Sequence, residues 1–159
     1  MTSRILMGCI LLLSACASAP SAKPAAARPS AKSPAAATPA DSLPAQTLAA
    51  GKCGLFLWTK DEPRRFILFY PAESATAEAI VNGQQTTLSM ESQAGDVFAQ
   101  FMTEMDFRNT DGTPVNLSLQ PGELLDGGRR VPTARMISQD KEGWEIITPL
   151  TGLTACQPE

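Results

Sequence analysis

The sequence predicts a mainly β domain: an antiparallel sandwich or small barrel of about eight short strands. Two observations predict it. From Gly51 onward apolar residues recur with period two, the spacing of a strand, rather than the 3.6 spacing of a helix. Short runs of this kind alternate with Gly-, Asn- and Asp-bearing turns, about every 10–15 residues.

The runs come in order. "GLFLWTK" opens the series. "RFILFY" is apolar on both faces, as in a strand covered on both sides. "AEAIVNG" and "QQTTLSMES" flank Asn82 and Gly83, a pair that tolerates positive φ and suits a tight hairpin. The Ala and Glu content of the overlapping "ESATAEAI" also fits one or two helical turns. "VFAQFMTEMDF" puts Val97, Ala99, Phe101, Met105 and Phe107 on one face, with Gln100, Glu104 and Asp106 opposite. "PVNLSLQ" sets Val115, Leu117 and Leu119 against Asn116, Ser118 and Gln120. "RVPTARMIS" follows, and "WEIITPL" puts Trp144, Ile146 and Leu150 on one side. Asp111-Gly112, Asp126-Gly127-Gly128 and the 140–143 stretch supply the other turns.

Ahead of this domain stand two segments of different composition. Arg4 gives a positive start and residues 5–13 are apolar, too short to span a bilayer. Leu13, Ser14, Ala15 and Cys16 follow. That order resembles the lipobox of bacterial lipoprotein signal peptides. The peptidase of that family needs small side chains beside the scissile bond, and the thiol is the group that takes a thioether-linked diacylglycerol. The resemblance implies cleavage after Ala15, acylation of Cys16 and attachment to the membrane by acyl chains, each buried CH₂ contributing about 0.8 kcal/mol. It also implies a Gram-negative envelope. Ala17 replaces the Asp that holds family members at the inner membrane, so the expected site is the outer membrane, with the domain facing the periplasm.

Residues 17–50 are almost all Ala, Pro and Ser, with Pro20, Pro24, Pro29, Pro34, Pro39 and Pro44 nearly every fifth residue. Such a chain has too little apolar surface to offset the entropy of ordering it. Proline at this density biases it to polyproline II, with a reach on the order of 100 Å at about 3.1 Å per residue. The expected organisation is a signal peptide at 1–15, a lipidated Cys16 and disordered tether over 16–50, and a β domain over 51–159.

On the lipoprotein reading Cys9 leaves with the signal peptide and Cys16 carries lipid, so Cys53 and Cys156 remain at the two ends of the domain. In an oxidising compartment they are expected to form a disulfide that closes the fold. A zinc site needs more ligands, and the chain has no histidine. No metal or cofactor is expected.

The domain carries nine basic and fifteen acidic side chains, a net charge near −6. That balance disfavours nucleic acid and suits a basic partner. Without histidine there is no Ser-His-Asp or Cys-His machinery, and no phosphate-binding glycine loop is present. Glu104 and Asp106 are the one carboxylate pair spaced to share a strand face. No catalytic residue is assigned. The densest cluster of chemically active side chains is "FLWTKDEPRRF", where Trp58, Lys60, Arg64 and Arg65 form a candidate recognition edge. "DGGRR" adds Arg129 and Arg130. If both basic loops lie at one end, an anion or wall-polymer site follows.

A lipobox, a small acidic β domain and cysteines near its ends make the layout similar to membrane-bound lysozyme inhibitors. That resemblance implies a basic enzyme partner. The family's Ser-Gly loop followed by Tyr has no counterpart, since the one tyrosine, Tyr70, lies within a strand run, so no inhibitor residue transfers. The expected function is a non-catalytic binding or envelope-interaction module. The alternatives are an inhibitor of a basic envelope enzyme such as lysozyme, and a carboxylate-based hydrolase of wall glycan.

Overall fold

The computed structural model describes residues 41–159. Ala15 and Cys16, the lipobox and most of the expected tether lie outside the described residues. The strands are β1 (Cys53–Thr59), β2 (Phe66–Pro71), β3 (Thr76–Val81), β4 (Gln84–Phe98), β5 (Phe101–Arg108), β6 (Pro114–Gln120), β7 (Leu124–Leu125), β8 (Gly128–Gln139) and β9 (Glu145–Cys156). β1 to β6 pair in succession, β6 pairs with β8, β8 with β9, and β9 returns to β1. All pairings are antiparallel, so eight strands close an up-and-down barrel. β7 is a two-residue flap on the start of β8. Closure removes the exposed edges that an open sheet would leave.

Alternation decides which side chains fill the barrel. Leu55, Leu57, Leu68, Leu88, Phe107, Val115, Val131 and Leu150 are fully enclosed. Each such side chain contributes about 1.5–3 kcal/mol by leaving water. At eight strands a barrel is just wide enough for side chains to fill.

The two ends of the chain meet where β1 and β9 pair. Cys53 faces Cys156 in register, their Cα atoms lie 3.9 Å apart, and they form the disulfide. Asn82 and Gly83 turn the β3–β4 hairpin with φ of 51° and 74°, the conformation their residue types favour. The stretch "ESATAEAI" forms a turn and β3, with no helix.

β2 is buried on both faces, as its sequence predicts. Its outward residues Phe66 and Phe69 join Phe56 and Trp58 of β1. The rings of Trp58 and Phe66 are stacked at 5.0 Å, and those of Phe56 and Phe69 lie 5.0 Å apart. The cover over this face comes from residues 42–50, which the sequence places in the tether. Leu43 is buried, its N–H donates to the Phe66 carbonyl (2.7 Å), and the Phe66 N–H donates to Ser42 Oγ (3.0 Å). A Cβ on Gly54 would stand 3.0 Å from Leu48 Cδ2 and 2.9 Å from the Phe69 ring, so glycine there lets the strap sit close. The packed chain therefore starts ahead of Gly51.

One run reads differently in three dimensions. "VFAQFMTEMDF" is two strands, because the chain reverses at Ala99 with φ of 52°. Alanine rarely adopts that conformation and so carries no turn signal. The reversal turns Val97 outward (74% exposed) and Phe98 inward, while Phe101, Met105 and Phe107 are buried as expected.

Candidate recognition surface

The barrel has two ends. At one, termed here the turn end, lie the 60–65 loop and the β3–β4, β5–β6 and β8–β9 turns. At the other lie the disulfide, the β4–β5 reversal and the 121–127 loop. The basic residues singled out in the sequence divide between them. Lys60 follows Thr59, which faces Leu150. Arg129 and Arg130 face Thr154 and Leu153, and Thr154 lies four residues further along β9, about 13 Å at ~3.3 Å per residue. The two loops do not converge, and no shared anion site is built from them.

All of these side chains but Arg65 have local work. Trp58 is half-buried in the aromatic face beneath the strap. Lys60 Nζ donates to Thr133 Oγ1 (3.1 Å). Arg64 pairs with Glu62 at 3.5 Å, both exposed, an interaction worth little in solvent. Arg65 is exposed at the turn end. Arg129 lies over the Phe98 ring (5.9 Å) and donates from Nε to the Gly122 carbonyl (2.9 Å), capping the far end of the core. Arg130 pairs with Glu123 at 2.7 Å.

The carboxylates Glu104 and Asp106 face outward, as expected. Ser92 Oγ donates to Asp106 Oδ2 (2.6 Å) and Asn116 Nδ2 to Oδ1 (2.7 Å). These bonds, the Ser92 bond first, hold the Asp106 carboxyl below its usual range. That is the reverse of what a proton donor near neutral pH requires. Among the described residues no three His, Cys, Asp or Glu side chains stand together to hold a metal ion.

What the turn end presents instead is an exposed aromatic beside a polar cavity. Ile146, Thr148 and Leu150 pair with Ser138, Met136 and Ala134, which point into the barrel. Trp144 continues this alternation, as its sequence pattern predicts, but it projects past the last rung and is 73% exposed. Its backbone is held: Asp140 Oδ1 accepts from the N–H groups of Trp144 (2.8 Å) and Glu142 (3.0 Å), and the Asp140 N–H donates to the Trp144 carbonyl. Ile147, on the opposite face, is 56% exposed.

Asn82 braces the mouth. Its Nδ2 donates to the Gln139 carbonyl (2.7 Å), joining the β3–β4 turn to β8 on the far side of the ring. On one side of this brace lies a small recess of about 180 Å³ near Arg65 and Ile67. On the other is an open cavity of about 440 Å³, lined among others by Gln84, Asn109, Asp111, Gln139, Glu142 and Ile146. Asp111 Oδ1 accepts from the Thr113 N–H (2.9 Å) and Oγ1 (2.6 Å), which lowers its pKa from the usual carboxylate value.

Sequence reasoning missed this cavity, since its lining comes from three turns far apart in the chain. One signal was present: Trp144 directly follows the 140–143 turn, where a large aromatic has little core to enter. No protein family, no curated protein and no solved structure matches this chain.

Proposed function

We propose that the protein is an outer-membrane lipoprotein, anchored through Cys16, whose barrel is a non-catalytic binding module in the periplasm. The observation that carries this reading is the exposed, backbone-fixed Trp144 beside an open cavity, on a barrel whose interior is filled by its own side chains. A filled barrel recognises its partner with its outer surface, not its lumen. Exposed aromatic anchors are the residues from which binding surfaces draw most of their energy. The absence of histidine and the lowered carboxyls of Asp106 and Asp111 favour binding over acid–base chemistry.

The acidic surface supports a second reading, an inhibitor of a basic envelope enzyme such as lysozyme. Exposed Asp140-flanking carboxylates Glu142 and Glu145 bracket Trp144. Co-sedimentation of the unacylated chain with isolated envelope material tests the binding reading. Retention that falls in Trp144→Ala supports it, and no retention at low or high salt removes it. Inhibition of lysozyme turnover at low salt would favour the second reading.

A further inference from the structure

We propose that the turn-end cavity and the Trp144 ring together form a subsite for an uncharged saccharide chain, a stretch of envelope glycan. The inference rests on the binding-module reading and names its ligand class. The cavity of about 440 Å³ lies within the roughly 300–1,000 Å³ of small-molecule sites.

Its chemistry selects among ligands. Gln84 and Gln139 bring amides, each both donor and acceptor; Asn109, whose Oδ1 already accepts from Thr86 and Thr110, brings its Nδ2 donor; and Asp111 and Glu142 bring acceptors. Gln139 gives its backbone carbonyl to Asn82 and Glu142 its backbone N–H to Asp140, which leaves both side chains to the cavity. Sugar hydroxyls are themselves donor and acceptor and pair with such a mixture. A phosphate or sulfate would meet carboxylates with Lys141 as the one lining cation, an unfavourable balance. A wholly apolar ligand would strip water from the amides and carboxylates without replacing its hydrogen bonds.

The aromatic supplies the rest. Trp144 shares a strand face with Ile146 and lies between it and Glu142 in the chain, and both of those residues line the cavity, so the exposed indole is within the hairpin that forms its rim. A flat exposed ring accepts the C–H face of a pyranose while polar neighbours take its hydroxyls. The Asp140 turn and the Asn82 brace fix this arrangement before ligand arrives, which lowers the ordering cost of binding. Glycosidic cleavage needs a carboxyl kept protonated, and the Thr113 bonds push Asp111 the other way.

The test uses the full chain with Trp58→Phe, so that Trp144 alone emits. Hexamers of N-acetylglucosamine, of β-linked glucose and of α-linked glucose are titrated to about 10 mM, above the range of a weak single subsite. The expected result is a saturable blue shift with at least one hexamer. Calorimetry on variants should show at least about tenfold weaker binding for Trp144→Ala, a few-fold loss for Gln84→Ala and Gln139→Ala, and none for Leu124→Ser at the other end. No shift with any hexamer, or unchanged binding by Trp144→Ala, overturns the saccharide subsite. If envelope retention persists through Trp144 while every hexamer fails, the ligand is a protein: this inference falls and the binding reading stands. Release of new reducing ends from a hexamer overturns the non-catalytic assignment.

Discussion

Leu43→Ala separates a strap that belongs to the fold from a tether that ends beside it. Leu43 is 5% exposed, belongs to the buried apolar cluster, and its N–H is bonded to the Phe66 carbonyl at the edge of the aromatic face. Truncating a buried leucine costs about 2–5 kcal/mol, least where neighbours can relax into the space. The strap lies on the outside of the barrel, so the expected cost is near ~2 kcal/mol. For a domain of this size that corresponds to a fall of about 8 °C in Tm. Ser42→Ala should add about 1–3 kcal/mol by leaving the Phe66 N–H unpaired. The assay is urea unfolding followed by Trp58 emission in a Trp144→Phe background. Loosening of the strap should also shift native Trp58 emission to the red. A disordered segment predicts a change within about 0.5 kcal/mol and no spectral shift. That result would refute the packing account.

Cys53→Ala with Cys156→Ala opens a loop of 103 residues, for which the chain-entropy relation gives about 4.7 kcal/mol, so the variant should unfold at much lower urea and reductant should shift only the parent. Denaturation midpoints that agree with and without reductant would contradict this. The Ser92 and Asn116 bonds hold the Asp106 carboxyl below its ordinary range, so the stability they add is present above the ordinary aspartate pKa and is lost as pH falls through the lowered value. Asp106→Asn should therefore flatten the acid limb of stability below about pH 4, by under about 1 kcal/mol because the group is largely solvated; an acid limb identical to the parent's would sink the assignment. Cys16→Ala should release the protein from membranes and abolish labelling by a lipid precursor, and unchanged fractionation would remove the anchor.

Much of the fold was legible because burial on one side of a strand leaves a period-two trace. Leu55 and Leu57, or Val115 and Leu117, show it directly. Turn chemistry was legible where φ is positive at residues that favour it, as at Asn82 and Gly83. It was silent at Ala99, whose positive φ is imposed by the β4–β5 pairing. Whether the strands closed into a barrel or packed as two sheets was not readable, since closure is the pairing of β6 with β8 and of β1 with β9. The strap left one trace: Leu43 and Leu48 are the large apolar residues of a segment made mostly of Ala, Pro and Ser.

The site was less legible than the fold. The basic loops stood out in one dimension because charges cluster there, yet the barrel sends them to different ends and gives Lys60, Arg129 and Arg130 local partners. The cavity depends on Gln84, Asn109 and Gln139, which meet only after the ring closes. Alternation placed Trp144 correctly with Leu150 but could not show that the barrel stops before reaching it.

The most direct test of the central claim, that the turn end is the binding end, is position-specific photo-crosslinking in envelope extract. A photoreactive residue replaces Lys141 or Glu145, both exposed beside Trp144, or, as a control at the other end, Leu124. The account predicts a discrete adduct from positions 141 and 145, suppressed by excess unlabelled chain, and none from Leu124. Equal adducts from all three positions, or an adduct from Leu124 alone, would contradict it.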